Sequence, residues 1–146
     1  MPSAVVDTNV IVAGVLTSNP HSASRSLIDR LWSGQFTLLL SPDALLEIQD
    51  VLQLPRLRSL HRLTDDDIRR FCRALEVASR MLVPTEIVSP AVPRDVTDTK
   101  WLALALHAHA DYLVTSDRRH LHRLRRVGRT RIVTPAAFIR ELDRTE

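Results

Sequence analysis

"AVVDTN", residues 4–9, sets the reading of the whole chain. Three apolar residues run straight into Asp7, Thr8 and Asn9, and "VIVAGVL" at 10–16 is apolar again. A short apolar run of this kind reads as a strand buried on both faces. The polar triplet then falls at the strand's carboxyl end, between two segments that read as core. A carboxylate there costs free energy unless something compensates its lost hydration.

Outward from that strand, the pattern alternates. "HSASRSLIDRLWSG" (21–34) carries a helical stripe of Ala23, Leu27 and Leu31 with Ile28 and Trp32 beside it, and "FTLLL" (36–40) is the next strand. Ser41 followed by Pro42 caps and opens a helix to about Leu52. Thr64 with Asp67 forms a capping-box pattern for a helix to about Arg80. A short strand near 81–83 and the proline-punctuated loop "VPTEIVSPAVPRD" follow. A helix from about Asp98 to Ala108 leads to the strand "DYLVT", an arginine-rich helix, the strand "TRIVT" and a closing helix that starts at Thr134 and Pro135. Apolar strands separated by helices predict an α/β sandwich, a mainly parallel sheet covered on both faces.

At 146 residues and 45% hydrophobic content the chain fits one domain, residues 1–146, with a core of its own. It has no internal repeat and no low-complexity tract. No apolar run approaches the roughly 18 residues of a membrane helix, and the start lacks a basic stretch followed by an apolar one, so a cytoplasmic protein with no membrane partner is expected. Cys72 is the single cysteine, which excludes an internal disulfide, and its helical context reads as a packed thiol.

The charge distribution is uneven. The net charge is +3, and Lys100 is the only lysine among twenty Lys and Arg. Seven arginines fall within "RRHLHRLRRVGRTR" (118–131), which has no acid. Guanidinium forks suit phosphate, so this segment reads as the footprint of a polyanion binder, with a solvated helix face as the equal alternative from charge alone.

In a parallel sheet the ligand crevice lies beyond the carboxyl ends of the strands. Asp7 sits at that end of the first strand and Asp117, in "YLVTSD", at the same end of a later one. A helical wheel over 98–108 places Asp98 on the side of Trp101, Leu102 and Ala105, with Lys100 and His107 pointing the other way. Glu47 borders the stripe of Ala44, Ile48 and Leu52, from which it can look toward the sheet edge. Taken singly, each acid has an ordinary explanation as a cap, a first-turn acid or a turn residue. Jointly they form a cluster that needs a positive partner. An all-oxygen set without a zinc pattern points to Mg²⁺ or Mn²⁺. Asn9, Thr115 and Ser116 are placed to hydrogen-bond the acids or a bound water.

The ordered set "VVDTNVIVAG", "SPDALLEIQDVL" and "RDVTDTKWLALALHAHADYLVTSDRRHL" resembles the PIN-domain nucleases, in the prokaryotic branch of toxin–antitoxin pairs, from residue 4 to about 140. The resemblance implies a three-layer α/β/α fold and a metal-dependent endoribonuclease with the acid quartet Asp7, Glu47, Asp98 and Asp117. It makes Asn9 and Thr115 polar companions and Asp95 an outer ligand. Mg²⁺ or Mn²⁺ is the implied cofactor and RNA the implied substrate; from the basic segment, Arg118, Arg119 and Arg123 are then expected to hold its phosphate backbone. A cognate antitoxin and a homodimer are the implied partners. Two departures stand out: a threonine replaces an acid beside the start of the helix in "RDVTDTKW", and Ser116 stands where glycine is frequent.

Other constellations carry less. Asp65, Asp66 and Asp67 sit in a first helical turn, where the dipole favours acids. His107 and His109, two apart, do not share a helix face. A phosphotransferase using Asp7 as nucleophile would call for a second carboxylate at position 9, which is Asn9. A non-catalytic module that keeps the fold and binds RNA or protein through its arginines is the remaining rival.

Overall fold

The computed structural model describes residues 1–83, 96–117 and 125–144, with the backbone alone for 96–99. In chain order the elements are β1 (Ser3–Val6), α1 (Thr8–Leu16), α2 (Ala23–Trp32), β2 (Thr37–Leu40), α3 (Pro42–Leu52), α4 (Pro55–His61), α5 (Asp65–Ala78), β3 (Ser79–Met81), α6 (Val96–His107), β4 (Tyr112–Val114), β5 (Arg126–Val127), β6 (Thr130–Val133) and α7 (Pro135–Arg144). The strands form one sheet in the order β3-β2-β1-β4-β6-β5. Every pairing is parallel except that of β5 with β6.

Residues 4–6 and 38–40 are buried throughout, as a parallel sheet with helices on both faces requires. Helices α1, α2, α3, α5 and α7 pack on one another in a chain of neighbours, whereas α6 packs against β1 and β4. Right-handed crossovers account for the division. Stepping from β1 to β2 to β3 moves one way along the sheet, and returning from β3 to β4 moves the other way, so α6 lies on the opposite face. The result is an α/β/α sandwich. Phe138 of α7 meets Phe36 and Tyr112 edge-on at 5.0 and 5.3 Å between ring centroids, anchoring the last helix to the core.

Local chemistry explains most boundaries. Ser41 Oγ accepts from the Ala44 N–H at 3.1 Å and caps α3 in front of Pro42. Thr64 and Asp67 exchange both bonds of a capping box, which assigns Asp67 to the start of α5. Asp65 pairs with Arg58 and Asp66 with Arg69, so this acidic triplet is structural. The Thr134 hydroxyl accepts from the Ala137 N–H and starts α7.

Two elements differ from the sequence reading. Helix α4 carries no buried residue and no side-chain cap, so Pro55 at its start has neither a hydrophobic period nor a capping residue to support it. The expected strand at 130–134 is β6, but the arginine-rich segment before it is not helical at 126–129: Arg126–Val127 form β5, a hairpin partner of β6 that turns at Gly128, φ +59°. A positive φ suits glycine in a two-residue hairpin loop, and that turn outweighs the arginines' helix propensity. Arg129 pairs with Asp111 at 2.9 Å and Arg131 with Glu141 at 3.6 Å. Both arginines lie toward the amino end of β6, away from the carboxyl-end crevice. Residues 118–124, with Arg118, Arg119 and Arg123, lie outside the described residues, as do Asp95 and most of the proline-punctuated loop.

Candidate active site

The strand order reverses its direction of growth at β1, whose neighbours are β2 on one side and β4 on the other. A crevice at the carboxyl ends of β1 and β4 is the switch point where open α/β sheets bind ligands. Val6 is in register with Val114, so the next residues, Asp7 and Thr115, emerge side by side. Backbone bonds fix both: the Asp7 N–H donates to Val114 O at 2.9 Å and the Thr115 N–H to Val133 O at 3.0 Å.

Asp7 is 9% exposed. Its Oδ2 accepts from the Thr115 hydroxyl at 3.0 Å, and its Oδ1 from the Asn9 N–H at 3.3 Å, which also makes it the N-cap of α1. The Thr115 Oγ1 in turn accepts the Asp117 N–H at 3.1 Å. One buried hydroxyl therefore ties Asp7 to the loop that carries Asp117. Asn9 contributes through its backbone, since its side chain is exposed; Ser116 is exposed as well.

Thr8, buried at the first position of α1, donates its hydroxyl to Glu47 Oε2 at 2.8 Å. This bond aims Glu47 of α3 at the end of β1. Glu47 Oε1 accepts from the Lys100 ammonium at 2.6 Å, and that ammonium stands 5.1 Å from the Trp101 ring centroid. Lys100 thus reaches the site, contrary to the wheel. A wheel gives the direction of Cβ, while a lysine carries its charge at the end of a long flexible stem. Thr8 and Lys100 are the two residues the sequence reading gave no role. The signal for Thr8 was its place beside Asp7 at a buried helix start.

Burial pushes the Asp7 carboxyl above the ordinary carboxylate range, the Asn9 N–H and the Thr115 hydroxyl pull it partly back, Glu47 pushes it further up and Lys100 draws it down. The Thr8–Glu47 bond brings the Glu47 carboxylate to the residue next to Asp7 in the chain. Asp98 lies in α6, and its side chain is outside the described residues. Among the described residues no three metal-ligating side chains converge.

Elsewhere, Cys72 is buried and its thiol is pushed up by burial, which leaves it a poor nucleophile. His107 and His109 are exposed. A groove beside α5, lined by Leu45, Cys72 and Val77 among others, uses the face of α3 opposite Glu47. It is not part of this site. No helix among the described residues is long and apolar enough to cross a membrane.

Comparison with known families finds that the PIN domain model fits residues 3–119. This span holds β1, α3, α6 and β4, and with them every candidate acid. No curated protein matches the chain.

Proposed function

The chain belongs to the PIN domain family, which generally comprises nucleases, and on that premise we propose that it is a metal-dependent endoribonuclease acting at the Asp7 crevice. The observation that carries the reading is Asp7 itself. It is a buried carboxylate at the topological switch point, oriented by Thr115 and by the Asn9 N–H, with a second carboxylate, Glu47, held on the adjacent Thr8.

The donor set fits a hard divalent cation. Its atoms are carboxylate and hydroxyl oxygens, and burial, the main reason the Asp7 carboxyl lies above the ordinary range, leaves its ionised form in need of a positive partner. Asp7, Asp98 and Asp117 would hold the ion, with Glu47 on the α3 side and Asp95 as an outer ligand. Bound there, Mg²⁺ or Mn²⁺ supplies Lewis-acid polarisation of a phosphodiester and a water of lowered pKa.

The chain's own residues perform the rest. Thr115 holds the Asp7 carboxylate in one orientation and, through the Asp117 N–H, sets the spacing of the loop after β4. Thr8 does the same for Glu47. Arg118 and Arg119 follow Asp117 directly in the sequence and, with Arg123 shortly after, are assigned to the phosphate backbone, which they would hold without reading bases. The single tyrosine and three phenylalanines make base stacking a minor resource. Similarity of the ordered motifs to the toxin branch supports a toxin role, with an antitoxin covering the acids and a homodimeric, cytoplasmic state.

The test is cleavage of a labelled mixed-sequence single-stranded RNA with Mn²⁺, with EDTA, and by the Asp98→Asn variant. Cutting that needs both the metal and Asp98 is expected. Cutting that persists in EDTA would refute the metal dependence.

A further inference from the structure

We propose that Lys100 is a built-in second cation of this site, so that the crevice takes one divalent ion per chain rather than two. The inference rests on the metal-dependent reading above. Its basis is the arrangement around Glu47, whose two oxygens are engaged from opposite quarters: the Thr8 hydroxyl on Oε2 at 2.8 Å and the Lys100 ammonium on Oε1 at 2.6 Å.

An exposed ion pair ordinarily contributes little to stability, and stability is not the role assigned here. Two features set this pair apart. It joins α3 to α6 across 53 residues of sequence, and is neither an i,i+3 nor an i,i+4 pair on one helix surface. The ammonium is also held over the face of the buried Trp101, a cation–π contact that fixes the end of an otherwise mobile stem.

Residue type points the same way. Every other Lys/Arg position in the chain is arginine. A guanidinium is a planar fork that spreads its charge, whereas an ammonium is a compact point charge with donors in several directions. The compact charge is the closer substitute for a metal ion. In two-metal nucleases the ions flank the scissile phosphate and stabilise the attacking and leaving oxygens. With Lys100 neutralising Glu47, the carboxylate otherwise left for a second ion already has its cation. Lys100 is accordingly a positioning and charge-balancing residue for Glu47.

The experiment counts bound Mn²⁺ per folded chain by electron paramagnetic resonance through the millimolar range, for wild type, Lys100→Met and the double variant Lys100→Met/Glu47→Gln. Methionine keeps most of the apolar stem and removes the charge, and circular dichroism confirms folding. One ion in wild type, two in Lys100→Met and one again in the double variant are expected. Two ions in wild type, or one in Lys100→Met, would overturn the proposal and leave the metal-dependent reading standing. No bound Mn²⁺ in wild type would overturn that reading, and this proposal with it.

Discussion

Thr115→Val removes one hydroxyl and keeps the shape of the side chain. That hydroxyl donates to the buried Asp7 carboxylate at 3.0 Å and accepts the Asp117 N–H at 3.1 Å. A hydrogen bond to a charged group is worth about 1.5–3 kcal/mol, and the neutral bond to Asp117 about 1 kcal/mol, part of which water restores at that half-buried amide. The expected loss is about 2–4 kcal/mol, roughly 5–12 °C in Tm for a chain of this size.

The pH dependence follows from Asp7. Its folded pKa lies above the ordinary 3.8, so the folded state binds more protons between the two values and stability falls as pH rises through that window. Removing a donor to the carboxylate raises the folded pKa further and widens the window. The penalty of Thr115→Val is therefore smallest in acid, where only bonds to a neutral carboxyl are lost. It reaches full size once Asp7 is ionised. Urea unfolding of both proteins across a pH series measures it. A penalty that is the same at every pH, or below about 0.5 kcal/mol at neutral pH, would refute the assignment of Thr115 to a buried charge.

Asp7→Asn should raise Tm in the absence of metal, because it removes a desolvated charge beside Glu47, and should abolish any stabilisation by Mg²⁺ or Mn²⁺ seen in wild type; thermal melts with and without metal decide both. Gly14→Ala should destabilise by about 1–3 kcal/mol, since a Cβ there would meet Ser24 O at 2.7 Å and Ile28 Cδ1 at 2.5 Å and force α1 and α2 apart; a Tm equal to wild type would contradict this packing. Neutralising Arg118, Arg119 and Arg123 together should weaken RNA binding and flatten its salt dependence, read by titrations at several salt concentrations.

The sequence was most legible where local chemistry is self-announcing. Ser41 before Pro42 and Thr64 with Asp67 mark helix starts because their side chains bond the amides they cap. The apolar runs at 4–6 and 38–40 mark central strands because both of their faces are buried. Asp7 stood out for the opposite reason, as a polar residue in a segment patterned for core, and the structure buries it at the carboxyl end of β1.

What escaped was written in tertiary geometry. Helix α4 rests on no apolar stripe of its own. Strand β5, the partner that makes a hairpin of the expected strand at 130–134, depends on one glycine within an arginine-rich segment. Lys100 joins the site through a contact 53 residues away, which a wheel drawn on α6 alone cannot contain.

The central claim is that Asp7 is buried at the end of β1 because it serves a metal-dependent phosphodiester cleavage. Its most direct test is a Mn²⁺ titration of RNA cleavage by wild type and by Asp7→Asn, with both proteins shown to be folded at the assay temperature. The account predicts cutting by wild type that rises with Mn²⁺ and is absent from Asp7→Asn at every concentration. Equal cutting by the two proteins would contradict it.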